Sequence, residues 1–139
     1  MTPWLPDILG CGVSSSSGAI QAPEFPYFLA TESRSLTSDE YAIVERLVSG
    51  LSEGFKQQLP RLIVVGRCGC GECPTIFFQV HQKGDQEQEL VSFQGVDSKR
   101  NVVGVALLGK TDVLSQLEFY ALSGEAVTIP DPQSLVPIV

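Results

Sequence analysis

Three of the four cysteines fall within a stretch of six residues, Cys68, Cys70 and Cys73, spaced C-x-C-x2-C. A thiolate is a soft ligand, and a turn made permissive by Gly69 and Gly71 lets several sulfurs reach one Zn²⁺ at ~2.3 Å. A closed structural site takes four ligands, so the tip needs one more. His81 lies eight residues beyond Cys73, and an extended chain of that length covers ~25 Å. Cys11 is therefore the better fourth ligand, and the candidate metal set is Cys68, Cys70, Cys73 and Cys11. The competing reading makes the cysteines small apolar groups that pack a tight turn. Thiol-redox chemistry needs an accessible cysteine of low pKa beside a cation or a helix N-terminus. Arg67 is a neighbouring cation, but the cluster has no strand-to-helix setting of the thioredoxin kind.

Other reactive groups are sparse. His81 is the only histidine, so any Ser-His or Cys-His pair would depend on it alone. Asp85, Glu87, Glu89, Asp97 and Asp112 sit in or beside turn-forming stretches and read as a solvated rim. Gly66–Gly71 and Gly10–Gly18 lack the Lys-Ser/Thr and the following helix of a phosphate loop. An enzyme is not expected, and no cofactor is expected apart from the zinc alternative. A net charge of -7 over 139 residues disfavours nucleic acid and anionic membranes, whose phosphates need Lys and Arg. It favours a basic protein partner, steered by acidic side chains such as Asp97, Asp112, Glu118 and Glu125. The first ten residues lack the basic and apolar regions of a signal peptide. No apolar run reaches the ~18 residues of a membrane span, and a cytoplasmic protein with reduced thiols is the expectation.

The elements that must position these groups can be read from pattern. The apolar runs Leu62–Val65 and Thr75–Val80 flank the cysteine tip and predict a β-hairpin. Thr37-Ser38-Asp39-Glu40 has the form of a capping box and predicts a helix after Thr37, with Tyr41, Ile43, Val44, Leu47 and Val48 on its apolar face. A second short helix is predicted over Glu53–Leu59, ended by Pro60. Glu89–Phe93, Val102–Leu108 and Val113–Ala121 read as further strands separated by turns, and Gly104 inside the second marks a bulge or a close approach. Residues 1–35 read as irregular and residues 129–139, with three prolines, as an extended tail. The expected architecture is a single α+β domain over 1–139. One or two N-terminal helices pack on an antiparallel β-meander of about five strands, with the core in 36–128.

Gln58-Leu59-Pro60, Arg67-Cys68-Gly69-Cys70-Gly71, Cys73-Pro74-Thr75 and Leu114–Tyr120 together resemble a small bacterial protein family. That family joins a helix and a QLP-type segment to an RCGCGxPT-like hairpin and a late LSxLEFY-type strand. The resemblance spans residues 37–133 and implies the fold, with no catalytic residue attached. The chain is also similar, in size and acidity only, to bacterial toxin-immunity proteins, by analogy rather than by motif. The function expected on these grounds is a non-enzymatic acidic binding protein that neutralises a basic toxin domain. The alternative is a zinc-binding structural module built on the cysteine hairpin.

Overall fold

The computed structural model describes residues 28–82, 84–123 and 127–138. Its first helix, α1 (Ser38–Val48), starts where the capping box places it. The Thr37 hydroxyl accepts from the Glu40 amide at 3.1 Å, and the Glu40 carboxylate accepts from the Thr37 amide at 2.9 Å. Ile43, Val44, Leu47 and Val48 are buried, whereas Tyr41 is 39% exposed and does not belong to the core. The second helix is shorter than predicted. α2 spans Glu53–Lys56, and a 3-10 turn over Leu59–Arg61 takes up the rest of the segment around Pro60.

Among the described residues seven strands form one sheet, two more than the sequence reading counts. In chain order they are β1 (Phe28–Arg34), β2 (Val64–Cys68), β3 (Ile76–Phe77), β4 (Gln88–Val96), β5 (Val102–Lys110), β6 (Val113–Ala121) and β7 (Val136–Pro137). Their order across the sheet is β1-β2-β3-β6-β5-β4-β7, and every neighbouring pair is antiparallel. The predicted hairpin is present with shifted limits. The 3-10 turn at Pro60 delays the first strand to Val64, which carries Cys68 into the ladder, and the second strand pairs only at Ile76 and Phe77.

The two unpredicted strands lie at the edges. β1 falls in the segment read as irregular, and β7 falls in the tail, where Leu135 is buried. The tail thus adds a rung pair to β4 at Phe93 and Gln94 rather than draping over the surface. Trp4, Leu5, Ile8, Leu9, Phe25 and Tyr27, expected to pack on the domain, lie outside the described residues. No helix among the described residues is long and apolar enough to cross a membrane.

Alternation sorts the central strands into two faces. Val103, Val105 and Leu107 of β5, with Leu117 and Phe119 of β6 and Phe93 of β4, form one core with the buried face of α1. The opposite face carries Ala106 beside Glu118, Leu108 beside Gln116, and Gly104 beside Tyr120. Gly104 is the close approach expected of it, since a β-carbon there would run into the Tyr120 ring. Gly66 of β2 is more constrained. An added β-carbon would meet the Phe28 ring and would lie 2.8 Å from the Leu29 carbonyl oxygen, which belongs to backbone and cannot swing away. Gly66→Ala is expected to destabilise the fold by about 1–3 kcal/mol through overpacking against β1. Urea denaturation of the two proteins at matched m-values measures it, and an unchanged midpoint would rule out that contact.

Candidate metal centre

The site grows from the way β2 hands over to β3. The Cys68 amide donates to the Thr75 carbonyl at 3.1 Å, which closes the intervening residues 69–74 into a tight tip. The tip is tied to the meander at Thr75, whose hydroxyl accepts from the Phe119 amide of β6 at 3.0 Å. Gly71 sits at φ +78, a left-handed conformation that L side chains rarely adopt and glycine takes at no steric cost. That turn brings Cys70 and Cys73 back onto each other, with their sulfurs 3.5 Å apart. The Glu72 amide points at the Cys70 sulfur at 3.4 Å. Cys68 joins them, so that all three sulfurs lie within 4.8 Å of one another. Two sulfurs on one tetrahedral Zn²⁺ stand about 3.8 Å apart, so the tip needs only a small adjustment to hold an ion.

The three thiols are free and unequal. Burial pushes the Cys68 thiol up to about 12, reinforced by the neighbouring Cys70 and Cys73, against a smaller backbone contribution at Cys70. Burial opposes ionisation of Cys70 as well, but the Glu72 amide and the Cys68 and Cys73 groups outweigh it and hold Cys70 below its ordinary value. Cys70 thus becomes a thiolate before the buried Cys68 does. Arg67 directs its guanidinium to the Cys68 carbonyl oxygen at 3.4 Å. Cys11, the fourth member of the sequence-derived set, lies outside the described residues.

His81 belongs to different surroundings. It leaves β3 on the side of Ser115, whose carbonyl accepts from the Phe78 amide, whereas the cysteine tip leaves on the side of Phe119. Its Nδ1 lies 2.7 Å from a Glu87 carboxylate oxygen.

Of the four acidic residues expected to face a partner, the three that the structure describes are not gathered into one patch. Asp97 begins the β4–β5 turn and Asp112 lies in the β5–β6 turn, at opposite ends of β5, while Glu118 sits mid-strand in β6 and Glu125 lies outside the described residues. Asp97 is buried, contrary to its reading as a solvated acid. Its carboxylate accepts from the Lys99 and Asn101 amides, the Asn101 side chain and the Thr128 hydroxyl, and so builds the turn. Thr128 first, then the Asn101 and Lys99 groups, hold Asp97 down to about 2 against the opposing effect of burial. Glu87 also departs from the expected rim, with a side chain only 6% exposed. Neither burial could be read from composition, because Thr128 on Asp97 and Ser115 and Gln116 on Glu87 come from 28 to 31 residues away.

Two titrations follow. The Asp97 carboxylate stabilises the fold at every pH above its unfolded value of roughly 4. That contribution fades as pH falls toward about 2. Asp97→Asn is expected to lower the thermal midpoint at pH 7 and to change it much less near pH 2. Equal losses at both pH values would mean that the carboxylate's charge is irrelevant. Glu118 behaves oppositely, because burial first, and then the Glu89 and Glu87 carboxylates, raise its pKa. Its ionisation costs stability as pH rises through the folded value, so Glu118→Gln is expected to raise the midpoint at pH 7. A lowered midpoint would contradict that assignment.

No protein-family model matches the chain, and neither a curated protein nor a solved structure matches it.

Proposed function

We propose that the chain is a non-enzymatic zinc-binding module whose hairpin tip holds the ion through Cys68, Cys70 and Cys73. The observation that carries this reading is the convergence of three free sulfurs within 4.8 Å on a turn bent by Gly71. The unequal acidity of Cys70 and Cys68 supports it. Cys70 ionises before the buried Cys68, and the charge of an arriving ion favours the thiolate form of its ligands. A fourth thiolate from Cys11 would close the site as structural, whereas a water in that position would leave it open. Protons must leave the thiols on binding, so affinity weakens as pH falls.

A second reading, a binding protein for a basic partner such as a toxin domain, is favoured by one observation. Among the described residues β1 lies at the sheet edge with six of its seven residues exposed, and an open edge can take up a partner's strand. The net charge of -7 would speed such an encounter.

Native mass spectrometry of protein purified without a metal-affinity column, paired with thiol counting, tests the leading reading. The expected result is zinc bound with Cys68, Cys70 and Cys73 protected from alkylation, and loss of that protection with chelator. Cys70→Ser is expected to weaken zinc binding at least tenfold, on the order of the effect of removing one ligand contact. A metal-free mass with all of these thiols reactive, persisting after zinc is added, would sink the proposal.

A further inference from the structure

The loop that leaves β3 gathers a second set of donor groups, of a different chemical kind from the sulfurs. His81, Asp85 and Glu87 each bring one ligand atom, all within 4.8 Å of one another. The surrounding groups hold them in place. One Glu87 oxygen lies 2.7 Å from His81 Nδ1, and the other accepts from the Ser115 hydroxyl at 3.1 Å and the Gln116 amide at 2.6 Å. Asp85 accepts from the Gln82 backbone amide at 2.7 Å and from Lys110 at 2.9 Å. An open hollow of about 600 Å³ beside the cluster, lined by Asp85, Gln86, Glu87, Gln88 and Thr111, gives an ion a way in.

A second observation concerns Gln116. Its side chain is fully buried, and its Oε1 has no hydrogen-bond partner among the described residues. Leaving a buried acceptor unmatched is costly. Turning the amide over would not relieve it, because the carbonyl would then face the Glu87 carboxylate in place of the 2.6 Å amide contact. Gln116 therefore leaves one unmatched acceptor on the same amide that donates to Glu87.

We propose that His81, Asp85 and Glu87 form a second metal site, one that takes a divalent first-row transition ion of the Zn²⁺ or Co²⁺ kind. The donor set decides the class. An imidazole nitrogen argues against Ca²⁺ and Mg²⁺, which prefer all-oxygen shells, and the lack of sulfur argues against Cu⁺. Ligation through Nδ1 requires the imidazole proton on Nε2, so the His81–Glu87 hydrogen bond is exchanged for a bond from each residue to the ion. Three protein ligands leave the remaining positions to water. Lys110, bonded to Asp85 and to the Val80 carbonyl at 3.0 Å, sets the affinity. Its positive charge balances Asp85 while the ion is away and opposes the ion when it arrives.

Co²⁺ separates this site from the cysteine tip, because thiolate ligation gives an intense charge-transfer absorption and nitrogen-oxygen ligation does not. Reduced, metal-free full-length protein is titrated with Co²⁺ while bound metal is counted by native mass spectrometry and absorption is followed. The expected result is one bound ion beyond those carrying the thiolate band. His81→Ala is expected to remove that ion and leave the thiolate band intact, with circular dichroism checking the fold. Lys110→Met, which keeps every ligand, is expected to tighten the band-free ion about tenfold, the size of effect expected from one unit charge in a partly screened setting. A single band-free ion lost in His81→Ala would uphold this site while overturning the cysteine reading. A bound count that never exceeds the thiolate-bound ions would overturn the second site. So would a band-free ion untouched by both substitutions, and Lys110→Met still decides the matter if His81→Ala fails to fold.

Discussion

The cysteine hairpin is joined to the rest of the sheet by a seam only two residues long. Ile76 pairs with Leu117 and Phe77 with Gln116, and on that ladder β2 and β1 depend for their connection to β6. So short a strand would be marginal alone. Three features extend its grip: the Thr75 hydroxyl on the Phe119 amide, the Phe78 amide on the Ser115 carbonyl, and two aromatic rings. Phe77 is fully buried and meets Phe28 edge to face at 5.0 Å, which ties β3 to the edge strand across Gly66. The tip that gathers the sulfurs is therefore held at both its ends, at Cys68 and at Thr75, by backbone that belongs to the sheet.

This seam also explains why two clusters of donor groups coexist without mixing. β3 runs antiparallel to β6, so the chain before it and the chain after it emerge at opposite ends of the same short ladder. The sulfurs lie before it and His81 after it. Each cluster keeps one chemical character, soft at the tip and mixed nitrogen-oxygen at the loop.

Much of the interior was legible in the sequence, because burial there writes a periodic signal. The capping box at Thr37 and Glu40 marked the start of α1, and β6 has the limits Val113–Ala121 that its composition indicated. Gly104 marked a close approach, and the structure fills it with the ring of Tyr120. The edge strands wrote no such signal. β1 reads FLATESR with six residues exposed, so it has no alternation of apolar and polar groups to find. β7 is two residues long and includes Pro137, which fits an edge and would argue against any other place in a sheet. At the candidate site, the spacing of the cysteines was visible and the turn at Gly71 explains why that spacing converges. The settings of Asp97 and Glu87 were not, since Thr128, Ser115 and Gln116 reach them across the fold rather than along the chain.

The edge strand has a further bearing on the sulfurs. β1 is fastened to α1 through Arg34, whose guanidinium grips the buried Glu40 carboxylate with contacts of 2.8 and 3.0 Å. At its other end Phe28 stands opposite Cys68, which is 4% exposed. Edge elements with few buried contacts open locally at far smaller free energy than the whole molecule. An opening of β1 from its Phe28 end would take the paired strand off Cys68. Such an opening would register in the reactivity of Cys68, and the grip of Arg34 on Glu40, about 20 Å along the extended strand from Phe28, would hold its far end.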